Sequence, residues 1–327
     1  MARLLIHTGL HQCGGTEMQQ LFHRNAALLE RSGVLYPRFG PTLGHHPLAA
    51  AWLAMPALPA DYRAQTDPDA LWREVVDTYA GVEGTVILSA EALSRAAPDC
   101  VDFSDLARRV ADFEEVRVLC CLRPQDEMME ALWAQSALAG DAGDPGGPIA
   151  DAIETGRWRG VGLDYDTLID RMAEGFGPER VVALDHAALP PGPRGLASAV
   201  LSMIDGAPAA SSLQGPDPEP SILPLAVDLA RKVGGTSSTP DLALAQGFSA
   251  TLTARAEGRI SLLSAAEYAA CRDRFASGNA RLGPAGSDGF WADIPDPVLF
   301  REGLSTVEWL ALAGDLYRTR LSSKIRL

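Results

Sequence analysis

The stretch RLLIHTGLHQCGGTEMQQLF, Arg3 to Phe22, decides how the rest of the chain is read. Leu4, Leu5 and Ile6 form an apolar run of strand type. Gly9, Gly14 and Gly15 then mark a tight turn. Beyond it Met18, Leu21, Phe22, Ala26, Leu28 and Leu29 recur at the spacing of one buried helical face, which predicts a helix over 16–31. A strand, a glycine-rich turn and a helix in that order bring backbone N–H groups to a positive helix end, an arrangement suited to an anion. Thr16 stands where it caps that helix and offers a hydroxyl to a phosphate. The competing reading is a tight βα turn that holds nothing.

The rhythm continues along the chain. Val34–Tyr36, Thr85–Ser89, Val116–Leu122 and Arg180–Leu184 read as further strands, several of them nearly continuous apolar runs of the kind found in parallel sheets covered on both faces. Helical patterns over Asp69–Ala80, Phe103–Phe113, Gln125–Leu138 and Tyr165–Phe176 lie between them. The expected fold class is therefore α/β, a central mainly parallel sheet between helical layers. This core is expected over residues 1–205, with residues 206–327 a helical extension packed on it as one structural unit. That extension carries helices near Leu223–Val233, Leu242–Ala254, Ala265–Phe275 and Thr306–Leu321. Two stretches break the pattern. GDAGDPGGP (Gly140–Pro148) reads as a flexible loop with the makings of a lid, and GAPAASSLQGPDPEP (Gly206–Pro220) as a linker or long surface connection.

The bulk numbers narrow the function. The chain has 327 residues, 47% of them hydrophobic, and a formal charge of −14, a surface that repels nucleic acid and anionic lipid. No apolar run approaches the ~18 residues of a membrane span, and the N-terminal run is too short for a signal-peptide core. A cytoplasmic protein without an integral membrane segment is expected. The five cysteines, Cys13, Cys100, Cys120, Cys121 and Cys271, include no C-x-x-C and form no disulfide framework.

The loop from Gly9 to Thr16 follows the spacing G-x-x-x-x-G-K-T of phosphate-binding loops, with Gly15 in place of the lysine. It also resembles the 5′-phosphosulfate loop of sulfotransferases, above all a bacterial branch whose loop runs H-x-G-x-x-K-T-G-T-T. His7, Gly9, His11, Gly14 and Thr16 match, and the family's lysine falls on Gln12. LLERSGVLYP (Leu28–Pro37), VILSAEALS (Val86–Ser94), VRVLCCLRPQDEMMEALWAQ (Val116–Gln135), LDYDTLIDRMAEGFGPERVVALDH (Leu163–His186) and FASGNARLGPAGSDGFW (Phe275–Trp291) resemble later blocks of the same branch, in the same order.

The resemblance implies a P-loop-type fold and a 3′-phosphoadenosine 5′-phosphosulfate (PAPS) donor. The sulfuryl group would pass to a hydroxyl or amine of a carbohydrate, lipid or small metabolite, without a metal. It implies that Gly9, His11, Gln12, Cys13, Gly14, Gly15 and Thr16 cradle the 5′-phosphosulfate. Arg123, at a strand end, would pair with the 3′-phosphate; otherwise it is an ion-pair partner of Asp126 or Glu127. Three positions depart from the family. Gln12 supplies no charge, Ala131 replaces a serine eight residues after the arginine, and Gly15 replaces a threonine. Removing one electrostatic stabiliser of this kind slows transfer about 100- to 1,000-fold.

His46, in TLGHHPLAA, is the candidate acceptor base, ahead of its neighbour His45; the competing reading makes it a turn residue before Pro47. Glu91 is the rival base or the group that orients that histidine. The strand end places Ser89 and Glu91 near the crevice where open α/β sheets bind ligands. His11 is a possible replacement cation, although an imidazole beside a positive helix end favours the neutral form. Arg157 and Arg159 around Trp158 read as a solvated helix end rather than a phosphate clamp. Cys13 has no evident base and reads as a small loop residue, and no His, Cys, Asp and Glu cluster has metal-ligand spacing. The alternative to a sulfotransferase is an impaired homologue that binds a nucleotide or glycan. A phosphotransferase would need a lysine beside Thr16 and an aspartate placed for magnesium. The sequence leaves acceptor and oligomeric state open.

Overall fold

The computed structural model describes residues 1–190, 192, 194–215, 222–234, 239–283, 290–291 and 294–325. Contact clustering divides the chain into two compact units that interleave in sequence. One comprises Met1–Arg123, Arg159–Pro218 and Gly278–Phe290, the other Pro124–Trp158, Glu219–Ser277 and Trp291–Leu327. The boundary read from the sequence at residue 205 lies inside the first unit.

The first unit is built on one parallel sheet of five strands: β1 (Arg3–Gly9), β2 (Val34–Leu35), β3 (Thr85–Ser89), β4 (Glu115–Leu122) and β5 (Val181–Asp185), in the order β2-β3-β1-β4-β5. The α/β fold class thus holds. The central strands read as apolar runs because both faces are covered. Leu4, Leu5 and Ile6 of β1, every residue of β3, and Leu119 to Leu122 of β4 are buried. Helix Tyr165–Phe176 packs on β4, β5 and the short helix Phe103–Arg109.

The parallel register matters most for the site. His7 of β1 lies beside Ser89 of β3, and Gly9 lies beside Cys120 of β4. The C-terminal ends of the three central strands therefore open at one place, directly before the glycine-rich turn.

The expected helix over 16–31 is two helices, α1 (Gly15–Arg24) and Ala26–Arg31. Asn25 separates them. Its side-chain amide donates to the carbonyls of Leu21 (2.8 Å) and Gln214 (2.7 Å) and accepts from the Gln214 N–H (2.8 Å). An asparagine side chain that replaces backbone partners in this way ends one helix and starts another. It also fastens part of the proline- and glycine-rich stretch 206–220 to α1. Residues 216–220 of that stretch lie outside the described residues.

The second unit is helical. Pro224–Gly234 packs on Gln125–Leu138 and on Leu242–Arg255, and Leu242–Arg255 packs on Thr306–Ile325. The loop expected over 140–148 ends earlier, because Gly146 already opens the helix Gly146–Thr155. The block Phe275–Trp291 begins in the helix Ala265–Leu282, but residues 284–289 lie outside the described residues. Among the described residues no helix is long and apolar enough to cross a membrane.

Candidate functional site

The turn between β1 and α1 is shaped by three left-handed residues, Gly9 (φ 93°), Gln12 (φ 59°) and Gly14 (φ 86°). Two are glycines, for which this conformation is open. Gln12 is not, and it is braced: Arg123, just past the end of β4, donates from Nη1 to the Gln12 carbonyl (3.1 Å). A strained residue over-determined by its surroundings is common at ligand-binding turns. The Leu10 N–H donates to the Cys121 carbonyl (3.2 Å) and fixes the start of the turn on β4.

Helix α1 begins at Gly15, with Gly14 as its N-cap and no side-chain cap. The expectation that Thr16 caps the helix is thereby corrected. With left-handed Gly14 as the cap, two residues earlier, Thr16 falls inside the first turn and is exposed. A helix start without a side-chain cap leaves its first N–H groups to other acceptors, as an anion cradle requires. The backbone at 12–16 thus fits a phosphate-like group, while Gln12 adds no charge to it.

Glu91, two residues beyond β3, is packed against this turn. A Cβ on Gly9 would stand 2.8 Å from the Glu91 Cα, and a Cβ on Gly15 would meet its Oε1. One glutamate thus crowds both glycines, with its backbone at Gly9 and with its carboxylate at Gly15. This close approach gives a physical reason for the departure at Gly15, since a threonine there would displace the carboxylate.

His46 opens a 3₁₀ turn, His46–Ala51, and its Nε2 lies 3.1 Å from Glu91 Oε2. Glu91 is buried and His46 part-exposed. Burial alone would raise the Glu91 carboxyl. The His46 hydrogen bond is the largest of the effects that outweigh it, and the group is held at about 2. The carboxylate is thus an acceptor for the His46 Nε2–H, which leaves Nδ1 as the basic ring atom.

His45 does something different. It is buried, its Nδ1 accepts from the Ser89 N–H (2.9 Å), and its Nε2–H donates to the Pro37 carbonyl (2.9 Å). Its N–H also donates to the Ser89 carbonyl (2.7 Å). Burial lowers its pKa to about 4, so it is neutral. It clamps the loop to the end of β3 and has no nitrogen left for an acceptor.

Behind the pair lies a buried polar chain that the sequence reading missed. Gln19 Nε2 donates to Glu91 Oε2 (2.9 Å) and to Ser89 Oγ (3.1 Å), and Ser89 Oγ meets His7 Nδ1 (2.8 Å). His7 is fully buried, its pKa lowered to about 4 by that burial. A signal was present: Gly15, Met18, Gln19 and Phe22 form the buried stripe of α1, and a glutamine in such a stripe needs polar partners.

The remaining candidates are placed as follows. His11 is part-buried in the turn, its pKa lowered chiefly by burial. Cys13 is buried, and the Cys121 pKa is pushed up by the neighbouring Cys13 thiol and by burial. Cys13 is thus a packed loop residue. Among the described residues no group of three or more His, Cys, Asp or Glu side chains is arranged to hold a metal.

No family model matches the chain, and no curated protein matches it. Among solved structures it is similar to a sulfotransferase from Alicyclobacillus acidocaldarius, with 16% identity and a TM-score of 0.40 over 70% of this chain and 88% of that one.

Proposed function

We propose that the protein transfers a sulfuryl group from 3′-phosphoadenosine 5′-phosphosulfate to a hydroxyl or amine of a carbohydrate, lipid or small metabolite. The observation that carries this reading is the His46–Glu91 pair beside an uncapped helix start. It puts a polarised base next to an anion cradle, at the C-terminal edge of a parallel sheet.

Each residue has a role in this reading. The N–H groups at 12–16 receive the 5′-phosphosulfate, and Arg123, whose Nη1 also braces the Gln12 carbonyl, receives the 3′-phosphate. When bound, the donor supplies a sulfur centre that the acceptor oxygen or nitrogen attacks while the bond from sulfur to the 5′-phosphate oxygen breaks. His46 Nδ1 takes the acceptor's proton, and Glu91 stabilises the imidazolium that results. Gln12 donates a neutral hydrogen bond to the leaving phosphate, and the missing positive charge makes the chemistry about 100- to 1,000-fold slower than a lysine would. No residue in this scheme calls for a metal, and the setting we propose is the cytoplasm.

The test is release of adenosine 3′,5′-bisphosphate when the full chain is mixed with the donor and a panel of hydroxyl and amine acceptors. Acceptor-dependent release that His46→Ala lowers about 100-fold or more supports the reading. A second reading, an impaired homologue that binds a nucleotide or glycan, is favoured by the uncharged Gln12 and by the Glu91 carboxylate against Gly15. Binding of the bisphosphate without release by the wild type would select it.

A further inference from the structure

We infer that Gln19 is the positioning residue of the His46–Glu91 pair. The inference rests on the proposed role of that pair. Gln19 is 4% exposed and belongs to the first helix after the turn. Its amide orientation is fixed by chemistry: an ionised Glu91 only accepts, so the NH2 group faces it. That NH2 group has two hydrogens, and both are committed, one to Glu91 Oε2 and one to Ser89 Oγ. The oxygen that Gln19 pins is the same one that faces His46 Nε2.

The third side of Gln19 is closed by the loop that carries the base. A Cβ on Gly44 would stand 2.6 Å from the Gln19 Cδ, so the backbone just before His45 and His46 lies directly on the amide. One neutral side chain thereby joins α1, the end of β3 and the histidine loop. Neutrality matters. A glutamate at 19 would set a second carboxylate against Glu91, and an apolar residue of equal length would take from Oε2 the hydrogen bond that it shares with the His46 contact. Ser89 extends the support to His7 inside the sheet, so the carboxylate is tied to the paired strands β1 and β3.

The consequence is a single ring form of His46, with its proton on Nε2 and Nδ1 free for the acceptor. The full chain is labelled at its histidine nitrogens and its His46 ring signals are read by NMR at about pH 8, above the ordinary histidine range. His46→Gln identifies those signals. The wild type is expected to show the Nε2–H form alone. Gln19→Met, which keeps the volume, is expected to show a mixture of both ring forms with a cooperative melt. Gly44→Ala, which keeps Gln19 but displaces its amide, is expected to do the same and serves if Gln19→Met does not fold. An unchanged ring form in the folded variants overturns the inference. Where transfer is measurable, Gln19→Met lowers kcat about tenfold or more while KM for the donor stays within about twofold. A ring form that depends on Gln19 in a protein without transfer would sink the sulfuryl reading and leave the positioning role standing.

Discussion

The Glu91 carboxylate stands in the space that a side chain at residue 15 would fill. The glycine-rich turn is therefore not only a flexible linker between β1 and α1. It is the half of a close fit whose other half is the glutamate held by His46 and Gln19.

That fit makes two glycine substitutions behave differently. In a helix interior alanine ordinarily stabilises over glycine by about 1 kcal/mol. Gly15→Ala should instead destabilise by about 1–3 kcal/mol, since its Cβ would push the Glu91 carboxylate off its Gln19 and His46 partners. Glu91→Ala should relieve this, with a coupling of about 1 kcal/mol or more in a double-mutant cycle. Gly9→Ala should not be relieved, because its Cβ meets the Glu91 Cα and its φ is left-handed. Urea denaturation of the three single variants and the two double variants with Glu91→Ala checks this. A neutral Gly15→Ala would mean that the turn is loose.

Acid should weaken the first unit in a defined window. His7 and His45 are buried and neutral, with pKa values lowered from 6.5 to about 4. The unfolded chain binds more protons than the folded one between those values, so stability rises with pH there. Their contribution is complete above about pH 6.5 and is lost as the pH falls through about 4, on the order of 3 kcal/mol for each. Glu91, lowered from 4.5 to about 2, adds a loss in the window below. Denaturation midpoints at several pH values should show the first loss, and His45→Gln should flatten it. A profile level from pH 7 to 4 would contradict the assignment.

Thiol reactivity should separate Cys100 from the others. Cys100 is exposed and Cys13, Cys120, Cys121 and Cys271 are buried. Ellman's reagent should label one thiol quickly in the folded protein and the rest after unfolding. Fast labelling of Cys13 would show that the turn opens readily.

Charge at position 12 should tune anion affinity. Gln12→Lys adds a cation at the cradle, and a hydrogen bond from a charged group is worth about 1.5–3 kcal/mol. Affinity for adenosine 3′,5′-bisphosphate should rise about tenfold or more, measured by titration. An unchanged affinity would place the 5′-phosphate away from this turn.

Much of the fold was legible because strands covered on both faces betray themselves. Leu4 to Ile6 and Thr85 to Ser89 are apolar runs of strand length, and both lie in the sheet. The break at Asn25 was not legible, because the apolar spacing runs on through it while the side-chain partner, Gln214, is distant in sequence. Thr16 was misplaced as the cap, which is Gly14 two residues earlier, for a related reason: the left-handed φ of Gly14 moves the helix start, and glycine alone does not announce its φ. Glu91 and His46 could be nominated from their places after strands. Gln19 could not be paired with them, since its partners are set by the register of β1 and β3 rather than by spacing along the chain.

The most direct measurement is calorimetric titration of adenosine 3′,5′-bisphosphate into the full chain, without magnesium, for the wild type and Arg123→Ala. Binding in the micromolar range by the wild type, lost in a folded Arg123→Ala, is the predicted result. A folded wild type that takes up no bisphosphate would contradict the donor site.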